Sequence, residues 1–462
     1  MCRYHWANPA NPPRKKRQMN CVDPSPPMIP THDEQRDALR KGLGRAVLWA
    51  KSGRWSDEGA LLEACLNDLR YDSQCESPRG TWLWEIVEAV GAVDTFREPI
   101  LTATQTIADG FAVRQLCQFC VFYARQGDER FRTRLRDIVA DKPVSDSPWL
   151  GEAELIELDR EAGFLFAAKL RGSSLSNREW DWDDLSIIND ATETLGEQTV
   201  VSILNRESET SSDIDRFRTL WQSATAMKAG VVRSFADRKS KLSLDEIIQE
   251  AGDRLRDRAF VFRRWGMDAS DADLQVALDR LFCQGDPDIL VNFLRIFSNR
   301  AMTQFDERML ALLDHTDERV RDRAYMAVSQ NAHPAIRKFA IDNIRQRIAV
   351  AGFLELFVRN YQPGDEDLLN ANLTLPDDGD QCHGIISDLI KILEQNPSAN
   401  CTELALRSYL ATPCGICRYH AAKLLFDQKV APTWLVDECR WDANSDIREL
   451  VELMGCFSSA DS

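Results

Sequence analysis

Apolar residues recur along this chain at intervals of three and four, with polar residues between them. Leu39, Leu43, Val47 and Leu48 open the pattern, and Trp49 extends the stripe. Leu61, Leu62 and Cys65 follow, then Trp82, Leu83, Ile86, Val87 and Val90, then Phe111, Val113, Leu116, Cys117, Cys120 and Val121. A period near 3.6 places such positions on one face of a helix. Each segment runs roughly 10 to 20 residues, as globular helices do. Turn-forming pairs such as Ser56-Asp57, Asp109-Gly110 and Lys142-Pro143 punctuate them. No set of strictly alternating runs appears, and no Asn-Gly turn joins two β-branched stretches. Val200 to Leu204 is the best strand candidate, and its flanks read as one turn of a buried helix. The pattern predicts an all-α protein.

Residues 1–31 stand apart. They carry Pro9, Pro12, Pro13, Pro24, Pro26, Pro27 and Pro30 with the basic run Arg14-Lys15-Lys16-Arg17. No apolar stretch follows that run, so it lacks the core of a secretory signal. The segment reads as a disordered tail, ahead of a nuclear-localisation reading, with Met19 or Met28 as alternative starts. A helical region is expected over residues 32–265, either divergent repeats or a separate domain. A second is expected over 266–462, with an irregular loop at 361–384 that carries Pro363, Gly364, Pro376 and Gly379. Smaller breaks are expected at 141–148, 172–184, 207–213 and 266–271.

A short motif recurs: an apolar residue, then Arg, then a small or apolar residue three further on. It appears at Val320-Arg321 with Ala324, Ile336-Arg337 with Ala340, Cys417-Arg418 with Ala421, and Ile447-Arg448 with Val451. Looser copies lie at Val113, Val232 and Leu255. On a helix the first and last positions share a face, the Arg stem covers the edge of the seam, and its head is expected to cap neighbouring carbonyls or meet an acid. The stretch from Met309 to Ala324 resembles a HEAT repeat: a helix ending in Leu-Leu, an acidic turn, then a helix opening with Val-Arg. His333 to Ala340 looks like the start of a further such helix. Asp442, six residues before Arg448, has the spacing of the Asp–Arg link in HEAT units. His315 holds that place before Arg321, which shifts the link to Asp314 or Asp317 or removes it. The resemblance covers about residues 272–455. It implies an α-solenoid of stacked antiparallel helix pairs with an extended concave surface. Such surfaces bind proteins or peptides, so a non-enzymatic scaffold or adaptor is the leading expectation. The alternatives are a HEAT-like enzyme or accessory, of the kind that attaches bilin chromophores or excises alkylated bases, and a metal-binding helical protein.

Composition narrows the partners. The chain has 462 residues, 44% hydrophobic and 28% charged, a normal globular balance. No apolar run approaches the roughly 20 residues of a membrane-spanning helix. The net charge of −16 disfavours nucleic-acid backbones and favours basic or neutral partners. Thirteen cysteines without framework spacing fit a reducing, cytoplasmic setting.

Candidate chemistry is sparse. No Gly-x-Ser-x-Gly, phosphate-cradling Gly-Lys-Ser/Thr loop, His-Glu-x-x-His or post-strand Gly-x-Gly-x-x-Gly is present, which leans against an enzyme and leaves no catalytic or cofactor residue to name. Cys414-Gly-Ile-Cys417 with His420 supplies metal-ligand types at a helix start, with Cys382, His383 or Cys401 as a distant fourth group. The same Cys-x-x-Cys also suits thiol redox chemistry. Packing of the helix start is the leading reading, because Cys417 already fills the apolar position of the repeat motif. Cys117 and Cys120 share the spacing inside an apolar stripe and read as core. Arg254, Arg256, Arg258, Arg263 and Arg264 beside Trp265 form the densest basic patch. The interleaved Asp253 and Asp257 make it a salt-bridged face rather than a nucleic-acid contact. Trp180-Asp181-Trp182-Asp183-Asp184 reads as tryptophans packed on the body, with acids at a helix N-terminus.

Overall fold

The computed structural model describes residues 25–73, 75–106, 110–141, 149–176, 183–230, 242–253 and 258–458. Among these residues the only regular structure is helical, and no helix is long and apolar enough to cross a membrane. Two compact units divide the chain. One joins Pro24–Arg233 to Asp437–Ser462, and the other is built on Ser234–Val436.

The first unit begins with α1 (His32–Lys41), α2 (Arg45–Lys51), α3 (Glu58–Leu66), α4 (Gly80–Val90), α5 (Val93–Ala103), α6 (Gly110–Arg125), α7 (Glu129–Asp141) and α8 (Glu152–Asp159). Thr31 and Glu34 form a reciprocal capping box at the start of α1, and Gly42 ends that helix in the left-handed region at φ 75°. These eight helices touch in consecutive pairs, and α2, α4, α6 and α8 also contact one another in succession. Then come α9 (Glu161–Ser176), α10 (Ser186–Leu195), α11 (Glu197–Ser208) and α12 (Ser212–Gly230). They gather around Phe164, Ile187, Ile203 and Phe217, all buried. Val200 to Leu204 lies within α11, as its flanks predict.

The second unit holds α13 (Leu244–Ala251), α14 (Ala259–Asp268), α15 (Asp271–Leu281), α16 (Pro287–Ile296), a 3₁₀ helix (Glu307–Asp314), α17 (Glu318–Val328), α18 (Pro334–Arg347), α19 (Glu355–Val358), α20 (Asp365–Asn372), α21 (Gly379–Gln395), α22 (Thr402–Ala411) and α23 (Gly415–Asp427). Side-chain caps from Ser243, Ser270, Asp286, Asp306, Asp317 and Asp378 start six of these helices. The Ser and Asp punctuation of the sequence is therefore mostly N-capping, each side chain satisfying an otherwise unpaired amide. Contacts run along α14, α16, α17, α19, α21 and α23 in order, and separately along the 3₁₀ helix, α18, α20 and α22. An Arg308–Asp279 ion pair at 3.3 Å ties the 3₁₀ helix to α15. The last helices are α24 (Thr433–Cys439) and α25 (Ser445–Ser458).

Residues 438–443 close on the start of the first unit. Ala443 N donates to the Gly42 carbonyl at 3.0 Å, and Trp82 Nε1 to the Trp441 carbonyl at 2.8 Å. Arg45 pairs with the buried Glu438 carboxylate at 2.7 Å. At Gly44 only a hydrogen fits, because a Cβ would lie 1.9 Å from the Glu438 carbonyl oxygen.

Two sequence expectations need correction. The break expected at 265/266 falls inside α14. There Gly266 permits a close crossing with α16, since a Cβ would lie 1.8 Å from the Ile296 carbonyl oxygen. The loop expected at 361–384 contains α20 and the start of α21. Pro363 and Gly364, the latter at φ 97°, mark a helix start, and Asp365, Glu366 and Asp367 occupy its first turn, where the dipole favours acids. The Arg heads of the motif take the two kinds of partner expected of them, neighbouring carbonyls and an acid. Arg321 donates to the carbonyls of His315 and Thr316 at 2.8 and 3.0 Å, and Arg448 to those of Asp442 and Ala443 at 2.6 and 3.2 Å. Asp314 pairs with Arg347, and Asp317 with Arg319. Arg337 makes the carboxylate link, gripping buried Asp365 at 2.6 and 2.8 Å.

A candidate metal centre at the start of α23

The turn between α22 and α23 is set by Pro413. A residue before proline is pushed out of the helical region, and Thr412 is extended at φ −62°, ψ 133°. The chain re-enters a helix at Cys414, the N-cap of α23, whose own amide donates to Thr412 Oγ1 at 3.1 Å. Arg418 N donates to the Cys414 carbonyl at 3.1 Å, so Cys417 sits three residues into the first turn. The N-cap and the third residue of a helix face each other, as in a capping box, which brings the two sulfurs together. On the packed neighbour α21, started by Asp378 capping Gln381, His383 points at the same place.

One ligand atom each from His383, Cys414 and Cys417 lies within 4.8 Å of the other two. Cys417 Sγ is 3.5 Å from His383 Nδ1. Both cysteines are buried and His383 is half-buried. Cys382, also buried, interacts by charge with Cys417. Electrostatics separates the two thiols. A hydrogen bond from Cys417 holds the Cys414 thiol well below its ordinary range against the opposing effect of burial, and His383 assists. Cys417 is pushed up, first by that same bond and then by burial. One sulfur of the pair thus ionises readily, at the positive end of a helix. Two thiols and an imidazole so arranged are equipped to hold a soft or borderline metal ion, or to present one thiolate.

The structure changes the predicted ligand set. Cys414 and Cys417 converge as their spacing suggests, but His420 does not join them. Its Nδ1 lies 2.7 Å from Glu394 Oε1, with its ring edge-on to Tyr419. The histidine that does converge, His383, is 34 residues from Cys417 in the chain. Cys401 is buried elsewhere, its Sγ 3.5 Å from the Leu424 carbonyl. Cys117 and Cys120 are core, and burial pushes the Cys120 thiol up to about 12. Nine cysteines are free thiols among the described residues, whereas Cys75 is disulfide-bonded.

The other candidates have structural partners. Arg254 and Arg256 lie outside the described residues. Arg258 pairs with Glu250 at 2.9 Å and Arg264 with Asp268 at 3.2 Å, while Trp265 is buried with its Nε1 donating to the Leu242 carbonyl. Trp180, Asp181 and Trp182 also lie outside the described residues. Asp183 and Asp184 accept from Arg171 at 2.6 and 2.8 Å, and Glu152 grips the same guanidinium. Arg171 is fully buried and stacks 4.0 Å from the Trp149 ring. These acids neutralise a buried cation and also sit at the start of α10, where Asp183 accepts from Leu185 N at 2.7 Å and Asp184 from Ser186 N at 2.9 Å. A shallow depression in the first unit is lined by Lys51, Glu85, Glu88, Ala89 and Trp441, and Lys51 Nζ lies 3.2 Å from the Trp441 ring centroid. Comparison with protein-family models, with curated proteins and with solved structures finds no match for this chain.

Proposed function

We propose that the chain is a non-enzymatic scaffold or adaptor, an α-solenoid of HEAT-like helix pairs that binds a protein or peptide along its helices. The observation that carries this reading is the order of contacts in the second unit. Helices 13 and 14, 15 and 16, the 3₁₀ helix and 17, 18 and 19, and 22 and 23 touch within pairs, and the second members α14, α16, α17 and α19 touch in succession. α20 enters the same order through α18 and α22, and α21 through α19 and α23. Packing of each unit on its neighbours alone is the signature of a repeat array, whose exposed rows offer an extended binding face.

Inter-helix links of the kind that stiffen such arrays support it. Arg337 joins α18 to Asp365 of α20, and Asn360 Nδ2 donates to the Asn331 carbonyl at 3.0 Å while its Oδ1 accepts from His333 N. The net charge of −16 selects a basic partner segment by steering and complementarity. The test is capture from native lysate on the immobilised full chain, read by quantitative mass spectrometry. A stoichiometric protein partner with a basic segment, released by raised salt, is expected. Recovery of a small molecule or nucleic acid without a protein partner overturns the reading.

A further inference from the structure

We propose that His383, Cys414 and Cys417 form a Zn²⁺ site that clamps the start of α21 to the start of α23. This goes beyond the scaffold reading and does not depend on it. Zn–S bonds of about 2.3 Å and Zn–N bonds of about 2.05 Å at a tetrahedral angle place sulfur and nitrogen about 3.6 Å apart. Cys417 Sγ and His383 Nδ1 are separated by 3.5 Å. Two tetrahedral thiolates on one zinc lie about 3.8 Å apart, and the whole ligand set falls within 4.8 Å. The three donors therefore need little rearrangement to close on one ion.

Donor chemistry selects the metal. Two thiols and an imidazole exclude the hard cations, which take oxygen, and match zinc's preference for sulfur and nitrogen. The donors come from two elements that pack directly, α21 and α23, with α22 between them in sequence. The backbone around Cys414 is fixed by Pro413 and the Thr412 hydroxyl, so one ligand position is preorganised before the ion arrives. Binding deprotonates whichever of the two thiols is protonated and releases those protons to solvent. With three protein ligands the fourth position belongs to water or to the neighbouring Cys382.

The experiment is a Zn²⁺ titration of the full chain, purified with reducing agent and freed of metal, against a chromogenic chelator. One zinc per chain is expected, held against micromolar chelator. A lost ligand weakens affinity by at least about 100-fold, since even changes behind the ligands cost ten- to a hundred-fold. Cys414→Ser, Cys417→Ser and His383→Ala should each show that loss, with helicity checked by circular dichroism. His420→Ala and Cys283→Ser should bind as the parent does. Co²⁺ in the unaltered chain gives a readout that needs no variant: thiolate-to-cobalt charge transfer together with tetrahedral d–d bands. Absence of a stoichiometric site in the unaltered chain overturns the proposal. So does unchanged affinity in the three ligand variants, or loss of binding in His420→Ala.

Discussion

Gly266→Ala sets two effects of opposite sign against each other. Alanine is favoured over glycine inside a helix by about 1 kcal/mol, so propensity alone predicts a more stable protein. The crossing of α14 on α16 predicts the reverse. A Cβ at residue 266 would lie 1.8 Å from the Ile296 carbonyl oxygen and 2.8 Å from its carbon. Relief requires α14 to retreat by more than 1 Å, which loosens the buried contacts of Phe262 and Trp265 as well. Overpacking of this kind costs about 3 kcal/mol, so the net loss is about 2 kcal/mol. Gly384, inside α21, is the control, because a Cβ there meets nothing within 4 Å. Gly384→Ala should gain up to about 1 kcal/mol. The assay is urea unfolding of the full chain followed by circular dichroism, comparing midpoints at constant slope. Equal stabilisation by both substitutions would refute the close crossing of these helices.

Other perturbations probe the buried charges. Burial pushes the Glu154 carboxyl up from 4.5 to about 7, so the folded chain holds its proton more tightly than the unfolded chain. Stability is then lost as pH rises from about 4.5 to about 7. Glu154→Gln should exceed the parent by up to about 3 kcal/mol at pH 7.5 and match it near pH 4.5, as unfolding at the two pH values will show. Arg337→Ala leaves Asp365 buried without its cation and should cost about 3 kcal/mol in urea unfolding, with Asp365→Asn also destabilising. Arg171→Ala strands Glu152 and Asp183 and should cost about 3 to 5 kcal/mol, lowering the thermal midpoint of the chain.

The helical class was legible because an apolar period of 3.6 survives in each segment and Ser or Asp caps mark many starts. The spacing of the helix pairs was not. Val320-Arg321 lies on α17, a second member of a pair, whereas Ile336-Arg337 lies on α18, a first member. The motif falls on both kinds of helix, so its spacing does not report the pair length. First members begin at residues 244, 271, 307, 334, 365 and 402, which no fixed period fits. Residues 361–384 looked like a loop because proline, glycine and acids also start helices. Within the candidate site, Cys414 and Cys417 were readable from local spacing. His383 was named only as one distant option among three, since the packing of α21 on α23 decides which partner arrives. His420 misled because closeness in sequence favoured it, while Glu394 on the neighbouring helix takes its imidazole.

That the helix pairs form a binding face is tested most directly by cross-linking mass spectrometry on the full chain with its captured partner. The predicted result is a set of cross-links to at least three successive members of one helix series, such as α18, α20 and α22. Cross-links confined to a single connecting loop, or no specific cross-link at all, would contradict it.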